Sequence, residues 1–383
     1  MNCSRRQVTD LELEDVTRRA AEGVNWEKVV RGAGYHRVLP LVYTTLNRLP
    51  EEAVPAEAME RLTGWMMKHR TYMMTLTAEL LRVTAAMEKE GVSAVSLKGP
   101  ALAASVYDNV AMRPSGDLDI LVKPSEVPTA LHALSQCGFR IELDEESGCV
   151  PSANQLEAVR RFHYHYILQN VESGLVVELH FRLFAGKLKW GSSTEEAFSS
   201  LAICRVGGKD IRVLNDRENL IYLCLHGGKH AWSRMEWIAT MAELLKRLGE
   251  FDEEELLSKA RKRGAEPALL LGIVLAAEFF DARNAPMLLR KGYASPLICG
   301  LSRRVAELLD ESLGSGDTDV QPGRFQLELC GDWRRKLYLV LRRKLNPNRA
   351  DVAAADWGRA LRFLYYLGPI RRLLRMAGER KQG

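Results

Sequence analysis

Paired cysteines, long apolar runs and a strong excess of one charge are all missing from this sequence. The seven cysteines include no Cys-x-x-Cys pair and their number is odd, which argues against a zinc ribbon and against a disulfide framework. No window approaches the roughly 18 uninterrupted apolar residues of a membrane span. The first residues, MNCSRRQVTDLELEDV, contain no apolar stretch of signal-peptide length. We therefore expect a cytoplasmic protein without a membrane span.

The composition is that of an ordinary globular protein. The 383 residues are 46% hydrophobic and 27% charged, which is enough to bury a core in two or three domains. The net charge of +5 is too mild to indicate a nucleic-acid partner by itself. The charge is uneven, however, because residues 333–383 contain 14 Lys/Arg and 3 Asp/Glu. This basic end predicts either an anionic partner or a solvated helix face.

Helical periodicity dominates both ends of the chain and gives way to strand-like patterns in the middle. We predict a helical region over residues 1–90, an α/β core over 91–215 and a second helical region over 216–383. The Met and Trp stripe of the first region is predicted to be core packing. In the last region, WRRKLYLVLRRKLNP and WGRALRFLYYLGPIRRLLRMAGERKQG are predicted amphipathic helices. They would cover the core, or face an anionic membrane surface or RNA.

The core is predicted to contain a small mixed sheet. VSAVSL, DLDILV, RFHYHYILQ and LVVELHFRL are predicted strands, the last two joined as a hairpin, and KDIRVLN is a predicted outer strand. SEVPTALHALSQCG is a predicted helix capped by Ser125, and the region of DEESGCVPSANQ a surface loop. The predicted fold class is α+β, with a small mixed-sheet core flanked by helical N- and C-terminal regions.

Three acids are candidates for a metal site. The alternation of a strand places Asp117 and Asp119 on one face of DLDILV, and Glu178 and His180 on one face of VVELHF. If these strands are neighbours, three carboxylates converge, and they repel unless they are protonated or bind a cation. Carboxylate oxygens favour Mg²⁺ or Mn²⁺. Because Mg²⁺ usually combines few carboxylates with substrate phosphates, the set suits a nucleoside triphosphate.

The turn Lys98-Gly99-Pro100 is a candidate phosphate site. It joins a predicted strand to a predicted helix, whose first N–H groups are free to bind an anion. Gly99 would let the backbone come close to a phosphate, and Lys98 would add a positive charge. Each motif alone is weak evidence, whereas the ordered set of Lys-Gly, Asp-x-Asp and a later strand acid is more specific.

This ordered set resembles the nucleotidyltransferase superfamily of the DNA polymerase β type. The segments LKGPALAASVYDNVAMRPSGDLDILV, VVELHFRL and HGGKHAWSRMEWIATMAELL are together similar to a narrower family of bacterial nucleotidyltransferases of uncharacterised function. The likeness covers roughly Trp26 to Leu248. The turn differs from the superfamily's usual Gly-Ser, and Thr240 stands where relatives often have an aspartate. The turn therefore offers no serine hydroxyl to a phosphate, a contact for which Lys98 would compensate, and the Thr240 helix lacks the acid that relatives often place there.

The resemblance implies a nucleotidyltransferase core and a two-metal transfer of a nucleoside monophosphate group to a hydroxyl. Asp117 and Asp119 would hold both metal ions, and Glu178 would complete the site as a ligand or as a base. Such a reaction depends mainly on positioning and charge stabilisation. The acceptor is open: a protein side chain, a small molecule or an RNA end. The alternatives are a catalytically inactive module that binds nucleotide, RNA or a partner protein, and an RNA-binding protein that works through the basic C-terminal end.

Further polar residues are candidates for nucleotide contacts. Arg113 would bind a phosphate, or would cap the preceding helix or pair with Asp108. In HGGKH, Lys229 and His230 would contact the nucleotide or the acceptor, and the two glycines would mark close approach of a ligand or a neighbouring helix. His226 and His230 lack an evident third ligand for zinc. His163 and His165 are predicted to be structural, and His180 is equally consistent with a site role and a structural role.

Overall fold

The computed structural model describes residues 8–143, 150–184, 194–315, 322–330 and 333–371. The described chain combines one seven-stranded mixed sheet with helical N- and C-terminal regions. This architecture confirms the predicted α+β class. None of the described helices is long and apolar enough to cross a membrane.

The helices and strands of the described chain lie as follows. The α-helices are α1 (Asp10–Ala21), α2 (Trp26–Tyr35), α3 (Leu39–Leu46), α4 (Ala56–Lys89), α5 (Gly99–Tyr107), α6 (Val127–Gln136), α7 (Ala153–Phe162), α8 (Thr194–Phe198), α9 (Asp216–Lys229), α10 (Met235–Leu248), α11 (Glu253–Lys262), α12 (Glu266–Phe280), α13 (Pro286–Tyr293), α14 (Pro296–Ser315), α15 (Pro322–Leu329), α16 (Trp333–Leu345) and α17 (Arg349–Ala353). Short 3₁₀ helices cover Glu51–Ala53, Val110–Met112 and Arg359–Tyr366. The strands are β1 (Val95–Ser96), β2 (Asp117–Leu121), β3 (Phe139–Glu142), β4 (His165–Asn170), β5 (Val176–His180), β6 (Leu201–Val206) and β7 (Lys209–Leu214).

The strand order of the sheet is β3-β4-β5-β2-β1-β7-β6. Strands β2 and β5 pair in parallel, as do β1 and β7, and the other neighbours are antiparallel. The predicted hairpin is present as β4 and β5, and its turn is stabilised by Asn170 Oδ1, which accepts hydrogen bonds from the backbone N–H groups of Glu172 and Ser173. The sheet therefore places β2 at its centre, beside β5.

Several predicted elements differ from the structure. Strand β7 (KDIRVLN) is internal rather than outer, because β6, which the sequence patterns do not predict, pairs with it at the edge. Helix α6 is preceded by Glu126 and has no side-chain cap, so the prediction that Ser125 caps it is wrong. Helix α7 replaces part of the predicted loop and the start of the predicted strand at Phe162. A capping box between Ser152 and Gln155 begins this helix. Residues 144–149 of the predicted loop lie outside the described residues.

The C-terminal end also differs from the two amphipathic helices that the sequence predicts. Helix α16 forms as predicted, but the following segment turns through α17 and the 3₁₀ helix Arg359–Tyr366. Asn348 and Asp351 form a capping box that begins α17. Val352 and Tyr365 are buried in the same cluster as the sheet residues Leu118 and Val177. This part of the C-terminal end covers the core, whereas residues 372–383 lie outside the described chain.

Both faces of the sheet are buried by helices. The long helix α4 presents Met73, Leu76, Leu80 and Met87 at helical spacing, and all four are completely buried. They share a cluster with Leu118 and Ile120 of β2, together with residues of α6 and α7. The opposite face contributes Leu121 to a second cluster that includes α2, α3 and α9 to α14. Asp117 and Asp119 alternate with Leu118 and Ile120 and therefore lie on the face of this second cluster.

Candidate functional site

Two parallel strands bring the predicted acids together. Asp119 of β2 is the direct neighbour of Glu178 on β5, and Leu121 is the neighbour of His180. Because neighbouring residues of paired strands point to the same face, Asp117, Asp119, Glu178 and His180 share one side of the sheet. The supposition that the two acid-bearing strands are adjacent is therefore correct. Asp119 is 1% exposed, whereas the Glu178 side chain is 25% exposed.

His180 links the two carboxylates. Its Nε2 atom lies 3.2 Å from Asp119 Oδ1 and 3.2 Å from Glu178 Oε2. Burial alone would lower the pKa of His180, but the hydrogen bonds to these acids raise it. The ring also stacks on His165, which is its cross-strand neighbour, with ring centroids 5.0 Å apart. His180 thus belongs to the group formed by Asp117, Asp119, Glu178 and His180, which we call the acid cluster. This position agrees with the predicted site role.

Lys98 places a positive charge beside the same carboxylate. Its Nζ atom lies 2.9 Å from Asp119 Oδ1. Although burial opposes ionisation, the charge of Lys98 and the hydrogen bond from His180 hold the pKa of Asp119 well below its usual value. By contrast, burial and the nearby charge of Asp119 raise the pKa of Asp117 to about 6. Asp119 is therefore neutralised by side chains, whereas Asp117 lacks comparable compensation.

One carboxylate oxygen of the acid cluster has no hydrogen-bond partner in the described chain. Asp119 Oδ2 is buried and has no hydrogen-bond partner among the residues that the structure describes. Ligand atoms of Asp119, Glu178 and His180 lie within 4.8 Å of one another, the one group of this kind within the described chain. An unpaired buried carboxylate oxygen is costly unless a cation or a hydrogen bond compensates it. The cluster therefore has the donor atoms and the unpaired buried oxygen of a candidate cation site.

The turn before α5 approaches the acid strand closely. Gly99 has a φ of +67°, which glycine adopts at little cost, and a Cβ atom there would lie 3.4 Å from the carbonyl oxygen of Asp117. Lys98 directly precedes this residue as the N-cap of α5, and Pro100 follows in the first turn. The predicted strand–turn–helix arrangement is present, although the strand is limited to β1 (Val95–Ser96).

A cavity of about 400 Å³ opens over the acid cluster. Its walls come from the N-terminal helices, the sheet and the C-terminal helices, and combine acids, cations and aromatic rings. The lining residues are Arg37, Lys98, Arg113, Pro114, Ser115, Asp117, Asp119, Tyr164, Glu178, His180, Leu183, Phe184, Tyr222, Leu225, His226, Lys229, His230, Trp237, Gln326, Leu339 and Arg342. This set contains five Lys/Arg against three acids, so the cavity is suited to an anionic ligand that is accompanied by a cation.

Arg113 lies in this cavity but makes a structural ion pair. Its Nε atom lies 2.6 Å from Glu236 Oε1, and the two side chains are only 5% and 3% exposed. Glu236 also accepts a hydrogen bond of 3.4 Å from Thr240, which in turn accepts one from the buried Tyr107. The sequence predicts a pairing of Arg113 with Asp108 or a phosphate contact, whereas the structure pairs it with Glu236 on α10. Thr240 is thus part of a polar network beneath the cavity.

The HGGKH segment forms one wall. Helix α9 continues through both glycines to Lys229, whose Nζ donates to the Tyr164 hydroxyl oxygen at 3.0 Å. A Cβ atom on Gly227 would meet the Trp232 ring at 2.6 Å, and one on Gly228 would meet Leu329 at 2.8 Å. The glycines therefore mark close packing of neighbouring side chains.

Aromatic and imidazole rings line the same wall. His226 and His230 lie near Trp237, at centroid distances of 5.6 and 5.3 Å. Burial lowers the pKa of His230 to about 4, so this ring is neutral at physiological pH. No third metal-ligating residue joins the two histidines in the described chain.

Seven of the eight predicted site residues line the cavity: Lys98, Arg113, Asp117, Asp119, Glu178, Lys229 and His230. Gly99 lies behind it, against the backbone of β2. Sequence reasoning does not single out Arg37, Tyr164, Tyr222, Trp237 or Arg342 as site residues. These five come from separate helices and loops, and no local spacing in the sequence relates them to one another.

The fold and the site together define an α+β protein that gathers the acids of two parallel strands in a cavity suited to a cation and an anion. The chain belongs to the family described as "Uncharacterised nucleotidyltransferase", whose model matches residues 22–281. The matched range includes every described strand and the whole acid cluster. No curated protein matches the sequence significantly. Membership of this family supports a role in nucleotidyl transfer.

Proposed function

We propose that this protein is a Mg²⁺- or Mn²⁺-dependent enzyme that moves a nucleoside monophosphate group from a nucleoside triphosphate to a hydroxyl acceptor. The observation that carries the proposal is the register of β2 and β5, which sets Asp119 beside Glu178 with Asp117 on the same face. Family membership and the cationic cavity over these acids support it. The order of turn, Asp-x-Asp strand and third acid supports placing the family in the DNA polymerase β-type superfamily.

The residues of the acid cluster fit a divalent cation of the Mg²⁺ class. Asp119 Oδ2 is buried without a partner in the described chain, and Glu178 and His180 place ligand atoms within 4.8 Å of a ligand atom of Asp119. Asp117, on the same face, would add a further oxygen ligand of the kind that hard cations prefer. His180 binds the other oxygen of Asp119. It would therefore orient the carboxylates, as histidines and acids around metal ligands commonly do. When bound, the cation would lower the pKa of the acceptor hydroxyl and offset the charge of the leaving pyrophosphate.

The protein's own residues would position the two substrates. Lys98 and Lys229 both line the cavity and would offset the triphosphate charge. Tyr222 and Trp237 would provide aromatic faces for the base, a contact worth about 1–3 kcal/mol in other nucleotide sites. The acceptor oxygen would bond to the α-phosphorus as the bond to the bridging oxygen of the β-phosphate breaks. Pyrophosphate leaves, and the hydroxyl proton passes to a carboxylate or to water.

Label transfer tests the proposal directly. The protein is incubated with Mg²⁺, cell extract and each of the four α-labelled nucleoside triphosphates. Wild type should label a protein, an RNA or a small molecule, and Asp119→Asn should lower the rate by at least about 100-fold, because it removes charge stabilisation from the transfer step. Asp310→Asn, at an exposed position of α14, is the matched control and should label normally. Absence of transfer with all four nucleotides would contradict the enzymatic proposal.

A second candidate function is supported by one observation. The Lys98 ammonium group and His180 already surround Asp119, so that two side chains offset the charge that a metal would offset. This arrangement favours a module that binds nucleotide, RNA or a partner protein without turnover. The two functions differ in thermal melts: the enzyme should be stabilised by ATP with Mg²⁺ and not by ATP with EDTA. Equal stabilisation under both conditions would favour the inactive module.

A further inference from the structure

A second cavity lies beside the first and shares a wall with it. It has a volume of about 560 Å³ and is formed by α7, Arg182 after β5, α16 and the 3₁₀ helix Arg359–Tyr366. Arg342 of α16 lines both cavities. A ligand that occupies the second cavity would therefore contact a side chain that also lines the first.

The second cavity is strongly cationic. Among the residues that the structure describes, its lining contains five arginines and a single carboxylate, Glu157, which lies 3.5 Å from Arg362. The arginines are Arg160, Arg161, Arg182, Arg342 and Arg362. Burial lowers the pKa of Arg182, and the charge of Arg160 lowers it further. The guanidinium groups therefore repel one another, and an anion with several charges would relieve this repulsion.

Aromatic rings accompany these cations. Phe162 is buried and lies edge to face with Tyr366, whose ring centroid is 5.5 Å away and which is 38% exposed. Helix α16 carries further exposed cations outside the cavity, among them Lys336, Arg343 and Lys344. A compact anion would use only one or two of the arginines, whereas a chain of phosphodiesters would follow the whole surface. A positively charged groove with an accessible aromatic ring, here that of Tyr366, is typical of sites for single-stranded nucleic acid.

We propose that the second cavity binds the phosphodiester backbone of a single-stranded RNA, whose 3′ hydroxyl reaches the acid cluster past Arg342 as the acceptor. This inference rests on the proposed nucleotidyl transfer and names the acceptor for it. The 3′ oxygen would form the new bond to the α-phosphorus of the nucleoside triphosphate, and pyrophosphate would leave as the bond to the β-phosphate breaks. The hydroxyl proton would pass to a carboxylate of the cluster or to water, so that the RNA grows by one nucleotide.

The test combines RNA binding with RNA extension. A short fluorescent single-stranded oligoribonucleotide is titrated with wild type, with Arg161→Gln/Arg182→Gln and with the charge-matched control Arg290→Gln/Arg303→Gln. All four arginines are exposed, and the control pair lies on α13 and α14, outside both cavities. The cavity variant should bind at least about tenfold more weakly. The log–log slope of its salt dependence should fall by about 0.7 for each phosphate that the protein no longer neutralises. The control should bind like wild type.

Extension is measured with the same oligoribonucleotide, carrying either a 3′ hydroxyl or a 3′ phosphate, and with α-labelled nucleoside triphosphates. Only the 3′ hydroxyl form should be labelled. Failure of wild type to bind RNA, or equal losses in the cavity variant and the control, would overturn the inference. Binding of pyrophosphate or a sugar phosphate in place of RNA would also overturn it, by pointing to a small acceptor.

Two outcomes separate this inference from the function on which it rests. If MgATP still stabilises the protein in a melt and RNA does not bind, the RNA inference fails and the proposed nucleotide site stands. If RNA binds through the arginines and no nucleotide stabilises the protein or labels the RNA, the RNA site stands and the transferase proposal fails.

Discussion

The buried ion pair between Arg113 and Glu236 provides a quantitative test of how the cavity floor is held. The 2.6 Å contact joins side chains that are 5% and 3% exposed. At an effective dielectric constant of about 20, charges this close attract by on the order of 5 kcal/mol, and desolvation offsets much of that attraction. The single variants Arg113→Met and Glu236→Leu each leave a buried charge alone. Each should lower the free energy of unfolding by about 3–5 kcal/mol.

The double variant Arg113→Met/Glu236→Leu should recover most of that loss, because it removes both charges and retains buried apolar volume. Urea unfolding followed by circular dichroism gives the four free energies of a double-mutant cycle. The two single losses sum to about 6–10 kcal/mol and the double variant should lose at most about 2 kcal/mol, so we expect a coupling energy of at least about 4 kcal/mol. If each single variant lost less than about 1 kcal/mol and the double variant lost only the sum of the two, the structural role of the pair would be refuted. If Arg113→Met weakened nucleotide binding while leaving stability unchanged, Arg113 would instead be a phosphate ligand.

Three further predictions concern backbone, packing and protonation. Gly99→Ala should destabilise the protein by about 1–2 kcal/mol because the φ of Gly99 is +67°. The control Gly64→Ala, at a position of α4 with open space around it, should stabilise the protein by about 0.5–1 kcal/mol. Urea midpoints of the two variants that move in the same direction would contradict this prediction. Gly227→Ala should lose about 1–3 kcal/mol by overlap with the Trp232 ring, and an unchanged midpoint would count against close packing of this ring on the helix. Burial lowers the pKa of His36 to about 4, so protonation of the unfolded chain should reduce stability as pH falls from about 6.5 toward 4. His36→Gln should therefore shrink the difference between the urea midpoints at pH 7 and pH 5. An unchanged difference would contradict this role of His36.

The local parts of the site can be predicted from the sequence. Strand alternation is a property of neighbouring residues, so DLDILV is enough to place Asp117 and Asp119 on one face. The same reasoning places Glu178 and His180 on one face of their strand. That these two strands touch requires a supposition about topology, and the parallel register of β2 and β5 confirms it. Helix α7 is not among the predicted helices although its Ser152–Gln155 capping box is present in the sequence, because the polar composition of the segment favours a loop.

The walls of the cavity cannot be predicted in this way. Arg37, Tyr164, Trp237 and Arg342 meet because helices from both ends of the chain pack on the sheet, and their separations in sequence have no periodicity. The partner of Arg113 is beyond prediction for the same reason, since Glu236 lies on a helix more than a hundred residues later. Local patterns fix the faces of strands and helices, whereas the contacts between distant elements depend on how the whole core packs.

Calorimetry shows whether the acid cluster binds a nucleotide together with a cation. A non-hydrolysable nucleoside triphosphate analogue is titrated into wild type, Asp119→Asn and the exposed control Asp310→Asn, each with Mg²⁺ and with EDTA. We predict that wild type and Asp310→Asn bind the analogue with Mg²⁺ and lose at least about tenfold in affinity with EDTA, and that Asp119→Asn binds weakly under both conditions. Equal affinity of all three proteins, unaffected by EDTA, would contradict the account.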